Sequence, residues 1–105
     1  MATNRIEVLR NMLDQNPRDS FARYGLEMEY VRGGDLETAV AEFRTLLEHN
    51  PDYAAAYFHG GQALEKLGRV EDARAMYEHG IQITTRTGDR HTRSELQAAL
   101  DLLPI

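Results

Sequence analysis

The sequence predicts an all-α protein built as an α-α superhelix, a solenoid of about six antiparallel helices. The first observation is a repeat, since Pro17 and Pro51 lie 34 residues apart and each follows an asparagine. The second is that similar residues recur at this offset, a period typical of stacked helical hairpins. The recurring pairs are Gly34/Gly68, Glu37/Glu71, Ala39/Ala73, Ala41/Ala75 and Phe43/Tyr77. The third is that apolar residues follow helical spacing, whereas no strand-like alternation occurs.

Three helices are predicted in the first half of the chain, over about residues 3–15, 20–32 and 36–49. In each, apolar residues three or four positions apart form one stripe. The first and third end at an Asn-Pro pair, because proline pushes the residue before it out of the helical region. A short oxygen-bearing side chain satisfies free amides at a helix start. The predicted caps are Asp19 or Ser20 for the second helix and Asp35 for the third.

Three more helices are predicted in the second half. The fourth covers about residues 53–67 and ends at a glycine. The fifth begins near Val70 and continues to Thr85–Thr87, because no proline stands where the repeat would place a third one. Gly88 is expected to follow its last turn. Two alternative caps are predicted for the last helix: Asp89, or Thr92 with Glu95 as a capping box.

Composition describes one domain and excludes several classes of function. At 105 residues the chain is long enough for one modest core. Its net charge of −5 argues against nucleic acid as a partner, since nucleic-acid binding usually leaves a basic footprint. No apolar run approaches the roughly 20 residues that cross a bilayer, and none suggests a signal peptide before Glu7. The absence of cysteine excludes disulfides and thiolate metal sites and favours a cytoplasmic protein.

The spacing of these residues resembles that of the tetratricopeptide repeat (TPR) family, whose unit is a pair of antiparallel helices, A and B. The family pattern is W-x2-L-G-x2-Y, then A-x3-F, then P. At these positions the first unit has Arg23, Leu26, Glu27, Tyr30, Ala39, Phe43 and Pro51. The second unit has Tyr57, Gly60, Gly61, Leu64, Ala73, Tyr77 and Thr85. The resemblance covers about residues 3–85.

The resemblance implies a single TPR domain over residues 1–105. A lone B-type helix at 3–16 forms an N-terminal half repeat. Two full repeats follow, at 20–53 and 54–87, and a capping helix at 89–103 closes the array. About five extra residues in the last connection displace this helix, so we expect it to cap at a different angle or to fold back over the groove.

Two departures from the family pattern carry expectations of their own. Arg23 and Glu27 stand where the family packs a large apolar residue and a small one. Because they are four positions apart on a helix, they are expected to pair and to leave that face partially exposed. Gly60 replaces the usual leucine, which predicts either local underpacking or the close approach of a neighbour.

The resemblance also implies a protein–protein interaction scaffold, without enzymatic activity or cofactors, that binds a peptide or protein in a groove lined by the A helices. The predicted partner-binding residues are Phe21, Tyr24, Met28, Val31 and Arg32, and then Ala55, Phe58, Gln62, Glu65 and Lys66. Some TPR proteins clamp chaperone C-termini with lysine, arginine and asparagine, but most of these positions hold other residues. An apolar peptide with a basic residue that meets Glu65 is expected instead.

An apolar stripe on the groove side of the second helix leaves three alternatives open. Its residues are Phe21, Tyr24, Met28 and Val31. The first or last helix covers it, a partner binds it, or a second copy buries it in a homo-oligomer. The chain is accordingly expected to be a monomer or a weak homodimer. An enzyme is the weakest hypothesis, because the four histidines lack metal-ligand spacing and the carboxylates follow helix surfaces.

Overall fold

The computed structural model describes residues 4–104, and within that range the protein consists of six α-helices without a strand. They are α1 (Arg5–Gln15), α2 (Ser20–Arg32), α3 (Leu36–His49), α4 (Ala54–Lys66), α5 (Val70–Thr87) and α6 (Arg90–Asp101). Each helix packs against the next, and α6 also packs against α4. This stacking, in a body of 46 × 29 × 20 Å, confirms the predicted all-α solenoid. Across residues 4–104, no helix is both long and apolar enough to span a membrane.

The helix boundaries follow the local signals in the sequence. Asp19 and Asp35 each accept a hydrogen bond from the backbone amide three residues further on, as expected of caps. Of the two caps predicted for the last helix, Asp89 is the one used, and its Oδ1 lies 3.1 Å from the Thr92 amide nitrogen. The predicted start of the first helix at Thr3 lies outside the described residues.

The fifth helix continues past the position of the missing proline, as predicted. It ends where Gly88 adopts a left-handed conformation with φ of 79°, which glycine takes without strain. Leu96 of α6 is fully buried, so the turn at Gly88 directs an apolar residue of the last helix into the core.

The hairpin of α4 and α5 closes through glycines. A Cβ atom added to Gly61 would overlap the Tyr77 ring, so the ring keeps its place only beside glycine. Gly80 is also crowded, since an added Cβ would lie 2.6 Å from Tyr57 Cβ and 2.9 Å from Leu96 Cδ1. The side chains that crowd the two glycines are fully buried, namely Tyr77, Tyr57 and Leu96. The two glycines therefore let α4, α5 and α6 approach one another closely.

The hairpin of α2 and α3 closes differently, and here the prediction of a pair between Arg23 and Glu27 is wrong. Glu27 is 0% exposed, and neither of its carboxyl oxygens has a hydrogen-bond partner among residues 4–104. Arg23 pairs instead with Glu42 of α3, with Nη1 2.6 Å from Oε2. Helical spacing permits the expected pair, but the tertiary fold offers Arg23 a carboxylate across the hairpin. This face is packed rather than partially exposed.

Gly60 is closely approached rather than underpacked. A Cβ atom added there would lie 3.5 Å from Phe43 Cβ and 3.3 Å from Met76 Cε. Phe43 belongs to α3 and Gly60 to α4, and the aromatic side chain is fully buried. Phe43 therefore joins the two hairpins through a position where the family usually has leucine.

The last helix stacks against α5 and α4 as a further layer of the array. Of the two expectations for this helix, folding back over the groove does not apply to Phe21, which stays 73% exposed. Folding over the groove would also cover Phe58 and Gln62. Instead α6 forms the far wall of a cleft that begins at these two residues of α4.

Candidate functional site

The ten residues predicted to bind a partner differ in exposure. Half-buried are Tyr24, Met28, Val31, Ala55 and Phe58. Exposed are Phe21, Arg32, Gln62, Glu65 and Lys66. Their assignment to a partner-binding groove stays a prediction, but the contacts of each set show which surface a partner would meet.

Most of the apolar stripe on α2 is used by the fold itself. Tyr24, Met28 and Val31 pack against a buried cluster that α3 and α4 contribute. The cluster consists of Ala39, Phe43, Leu46 and Ala56. Of the four stripe residues, only Phe21 is exposed. Three of the four stripe residues are thus packed against the neighbouring helices α3 and α4.

Aromatic rings form a ribbon that crosses from α2 to α4. The Tyr24 ring lies between those of Tyr53 and His59, with centroid distances of 5.3 and 5.8 Å. His59 in turn meets the edge of Phe58 at 5.2 Å. Such tilted and edge-to-face arrangements are favourable for aromatic pairs and hold the rings in place. We call these four residues, Tyr53, Tyr24, His59 and Phe58, the aromatic ribbon.

A cleft of about 450 Å³ lies between α4 and α6, next to the aromatic ribbon. Its lining residues are Phe58, Gln62, Glu65, Glu95, Ala98, Ala99 and Leu102. The floor is mostly apolar, and Leu102 at its edge is 84% exposed. The two carboxylates stand on opposite helices, and Tyr77 donates a hydrogen bond from its hydroxyl to Glu65 Oε2. We call this the α4–α6 cleft.

Burial keeps the titratable rings of the aromatic ribbon neutral at neutral pH. Burial lowers the pKa of His59, which Glu95 opposes and Lys66 reinforces. The pKa of Tyr24 is raised, chiefly by burial and further by nearby groups that include Glu95. Glu95 therefore acts electrostatically on the ribbon while it lines the α4–α6 cleft, although it belongs to α6. Its Oε1 lies 3.5 Å from His91 Nε2 one turn earlier.

The carboxyl group of Glu27, buried on α2, has a strongly raised pKa. Burial raises the pKa of Glu27 to about 9, and the charge of Glu42 adds to this effect while that of Arg23 opposes it. Glu27 is consequently protonated and neutral at pH 7. A neutral carboxyl is far less costly to bury than a carboxylate, which explains how the helix accommodates it without a partner.

Sequence reasoning missed part of this surface. Tyr53 and His59 were not assigned to the groove, because both lie outside the positions that the family pattern transfers. Glu95, Ala98 and Leu102 were missed because the position of the last helix was unknown. A signal was present, since these three follow i, i+3, i+7 spacing one residue before its apolar stripe.

Two further clefts recur with the repeat. One of about 500 Å³ lies between α1, α2 and α3, and one of about 390 Å³ lies between α3, α4 and α5. Six lining positions correspond at the 34-residue offset: Arg10/Arg44, Leu13/Leu47, Asp14/Glu48, Pro17/Pro51, Arg23/Tyr57 and Glu42/Met76. Because a cleft forms at each of these junctions between hairpins, it reflects the repeat and marks no specific site.

The histidines do not gather into a metal-binding cluster within the described part of the chain. Residues 4–104 contain no group of three or more His, Cys, Asp or Glu side chains placed to hold a metal ion. His59 lies against Tyr24 and Phe58, whereas His79 meets the edge of Tyr57 at 5.1 Å. These two histidines therefore lie against different aromatic rings.

Comparison with known sequences places the chain among helical repeat proteins. The tetratricopeptide repeat family model matches residues 28–83. A TPR repeat-containing protein of Pseudomonas aeruginosa is 30% identical over 95 residues, which is 90% of each chain.

Solved structures agree. The crystal structure of a tetratricopeptide repeat domain protein from Salinibacter ruber is 38% identical, with a TM-score of 0.73 over 78% of this chain and 91% of that one. The translocator chaperone SycD of Yersinia enterocolitica type III secretion is 13% identical, with a TM-score of 0.83 over 91% of this chain and 67% of that one. The second likeness shows the fold alone. Together with the 34-residue period and the helical stack, these matches show that the chain belongs to the tetratricopeptide repeat family.

Proposed function

We propose that the chain is a protein–protein interaction scaffold whose partner, a peptide or a protein, binds in the groove lined by α2 and α4. In this proposal α2 and α4 are the A helices of repeats 20–53 and 54–87, α1 is a lone B-type helix and α6 is the capping helix. The proposed binding set is the ten residues predicted from the sequence. The proposed setting is the cytoplasm, and no reaction is proposed.

The aromatic ribbon is the observation that carries this proposal. Tyr24 lies on α2, His59 and Phe58 lie on α4, and Tyr53 directly precedes α4. All four side chains are only half-buried, so part of each remains exposed. Aromatic side chains are rigid and offer a large contact area, and they are enriched at protein interfaces. The ribbon leads into the mostly apolar α4–α6 cleft, which is wide enough for one or two apolar side chains of a partner. The likeness to SycD adds that a protein of this fold serves as a chaperone for another protein.

Site-specific photo-crosslinking in cells tests the proposal. A photo-reactive residue replaces Gln62, which is exposed in the α4–α6 cleft, and in a matched control it replaces Gln82, which is exposed on α5. We expect a discrete crosslinked product from the first position and none from the second. Crosslinks of equal intensity from both positions, or none from Gln62, would show that this groove is not the binding surface.

The homo-oligomer alternative now depends on Phe21, the single stripe residue that remains exposed. The mass of the purified chain in solution, measured by analytical ultracentrifugation, distinguishes groove binding from self-association. A monomer, or a weak dimer that Phe21→Ser leaves unchanged, agrees with a free groove. A stable dimer that Phe21→Ser converts into a folded monomer would favour self-association over groove binding.

A further inference from the structure

The groove combines aromatic rings with carboxylates in a way that selects for charge. Glu95 and Glu65 stand on facing helices at the α4–α6 cleft. The aromatic ribbon runs beside them, and Tyr24 lies within the electrostatic influence of Glu95. A cation is attracted both to the face of an aromatic ring and to a nearby carboxylate. Rings and acidic groups together therefore form a surface complementary to a positively charged side chain.

We propose that this groove recognises a partner segment in which a lysine or arginine neighbours an apolar residue. The cation lies over the rings of Tyr24, Tyr53 and His59 and faces Glu95, while the apolar side chain enters the α4–α6 cleft. The inference rests on the proposed function, since it names the chemistry of the partner that the groove takes. It also moves the acidic contact from Glu65, as expected from the sequence, to Glu95.

The positions of the other charges agree with this assignment. Arg32, at the end of α2, pairs with Glu29, with Nη1 2.8 Å from Oε2, so its charge is offset locally. Lys66, at the C-terminal end of α4, also acts on His59 and would oppose a cation there, but its effect is smaller than the opposite effect of Glu95. One oxygen of Glu65 already accepts a hydrogen bond from Tyr77. Glu95 has only the exposed His91 within ion-pair distance among the described residues, so it is the carboxylate with most freedom to meet a ligand.

Burial of His59 also supports a cationic ligand at the aromatic ribbon. Because its pKa is lowered, the imidazole is neutral at pH 7 and does not repel a cation placed over the ribbon. The assignment is the reverse of a clamp for a C-terminal carboxylate, which would require cations in the groove. Net charge agrees, since a chain with a charge of −5 attracts basic partners at long range.

A phage-displayed library of 12-residue peptides, selected on the whole chain, tests this inference. We expect the selected peptides to be enriched in lysine or arginine next to leucine, methionine or phenylalanine. Synthetic copies are then measured by fluorescence anisotropy, and replacing the lysine with norleucine should weaken binding about tenfold. Enrichment of acidic peptides, or equal binding of the norleucine copy, would overturn the inference.

Substitutions in the chain test where the lysine of the bound peptide lies. Glu95→Gln should weaken the lysine peptide about fivefold and reduce the salt dependence of its binding, because an exposed ion pair is screened by salt. The matched control Glu78→Gln, at an exposed carboxylate of α5, should leave the affinity unchanged. Tyr24→Leu keeps the apolar packing but removes the ring, and it should cost about tenfold as well. If Glu95→Gln and Glu78→Gln behave alike, the assignment to Glu95 is wrong.

A blocked cleft separates failure of this inference from failure of the proposed function. Ala98→Gln places a longer neutral side chain in the α4–α6 cleft, where Ala98 is exposed, so the chain should still fold. If selected peptides lack cations but lose affinity for this variant, the groove binds peptides and only the charge preference is overturned. If the selection yields no peptide, this inference fails. If Ala98→Gln binds every selected peptide unchanged, the groove is not the binding surface and the proposed function itself fails.

Discussion

The two helical hairpins share one backbone period but close their interiors with different chemistry. At the position where the family packs a small residue, the hairpin of α2 and α3 has Glu27 and the hairpin of α4 and α5 has Gly61. The glycine receives the ring of Tyr77, whereas the glutamate is buried as a neutral acid. The same stack of helices thus tolerates a buried acid in one copy and requires the absence of a side chain in the other.

The 34-residue repeat therefore constrains the distances between helices more than it constrains the identity of the side chains between them. In the second hairpin the large ring comes from α5 and the space is supplied by α4. In the first hairpin the side chain of Phe43 instead packs against Gly60 of the next unit, and Glu27 remains buried within its own hairpin. Four experiments, from the largest expected effect to the smallest, test whether the two solutions differ as described.

Loss of the aromatic ring between the hairpins should have the largest effect. Phe43→Ala removes a fully buried side chain that contacts the next hairpin, and we expect the free energy of unfolding to fall by about 3–5 kcal/mol. Urea unfolding followed by circular dichroism measures this change. The exposed Phe21→Ala serves as the control and should change stability by less than about 0.5 kcal/mol. Equal effects of the two substitutions would contradict the assignment of Phe43 to the junction.

The buried acid should make stability depend on pH. The pKa of Glu27 is raised from 4.5 to about 9 on folding, so in this window the folded chain keeps a proton that the unfolded chain releases. The free energy of unfolding is therefore highest below about pH 4.5 with respect to this group and falls as pH rises, by up to about 3 kcal/mol between pH 6 and pH 8. Glu27→Gln should remove this slope, whereas the exposed Glu78→Gln should retain it. A slope that survives Glu27→Gln would refute the assignment.

A methyl group at the glycine of the second hairpin should destabilise it by about 1–3 kcal/mol, despite the better helix propensity of alanine. Gly61→Ala forces the buried Tyr77 ring to move. Gly25→Ala on α2 is the matched control, because its Cβ would lie 3.2 Å from Leu9 Cδ2, the end of a flexible side chain. The control should stay within about 1 kcal/mol of the parent chain in thermal unfolding. If Gly61→Ala is the better tolerated of the two, the close contact has been misassigned.

Ion pairs should give the smallest difference. Arg23→Gln breaks the half-buried pair with Glu42 inside the first hairpin, at an expected cost of about 1 kcal/mol. Arg69→Gln breaks an exposed pair with Glu37, where Nη2 and Oε1 lie 2.7 Å apart, and should cost less than about 0.5 kcal/mol. Chemical denaturation in low and high salt measures both, and salt should diminish the second effect more. If Arg69→Gln destabilised the chain more than Arg23→Gln, burial would not determine the strength of these ion pairs.

The sequence predicts those features that depend on neighbouring residues along the chain. Caps such as Asp19 and the glycine stop at Gly88 act within one helical turn, and the predicted helix ends agree closely with the structure. The partner of Arg23 could not be predicted, because two carboxylates compete for it and only the fold decides between them. Glu95 was missed for a similar reason, since its role beside the groove depends on where α6 lies. Local rules therefore describe the helices, while contacts between helices define the surface.

The contact between Phe43 and Gly60 has a consequence for how the molecule unfolds. In a solenoid, stability is the sum of a term for each unit and a term for each junction between neighbours. A buried aromatic ring at the central junction couples the two hairpins, so they should open in one cooperative event. The C-terminal end is held by Leu96 in the space beside Gly80. The helix α6 packs against both α5 and α4, whereas α1 packs mainly against α2, so α1 should open first and amide exchange should proceed inward from that end.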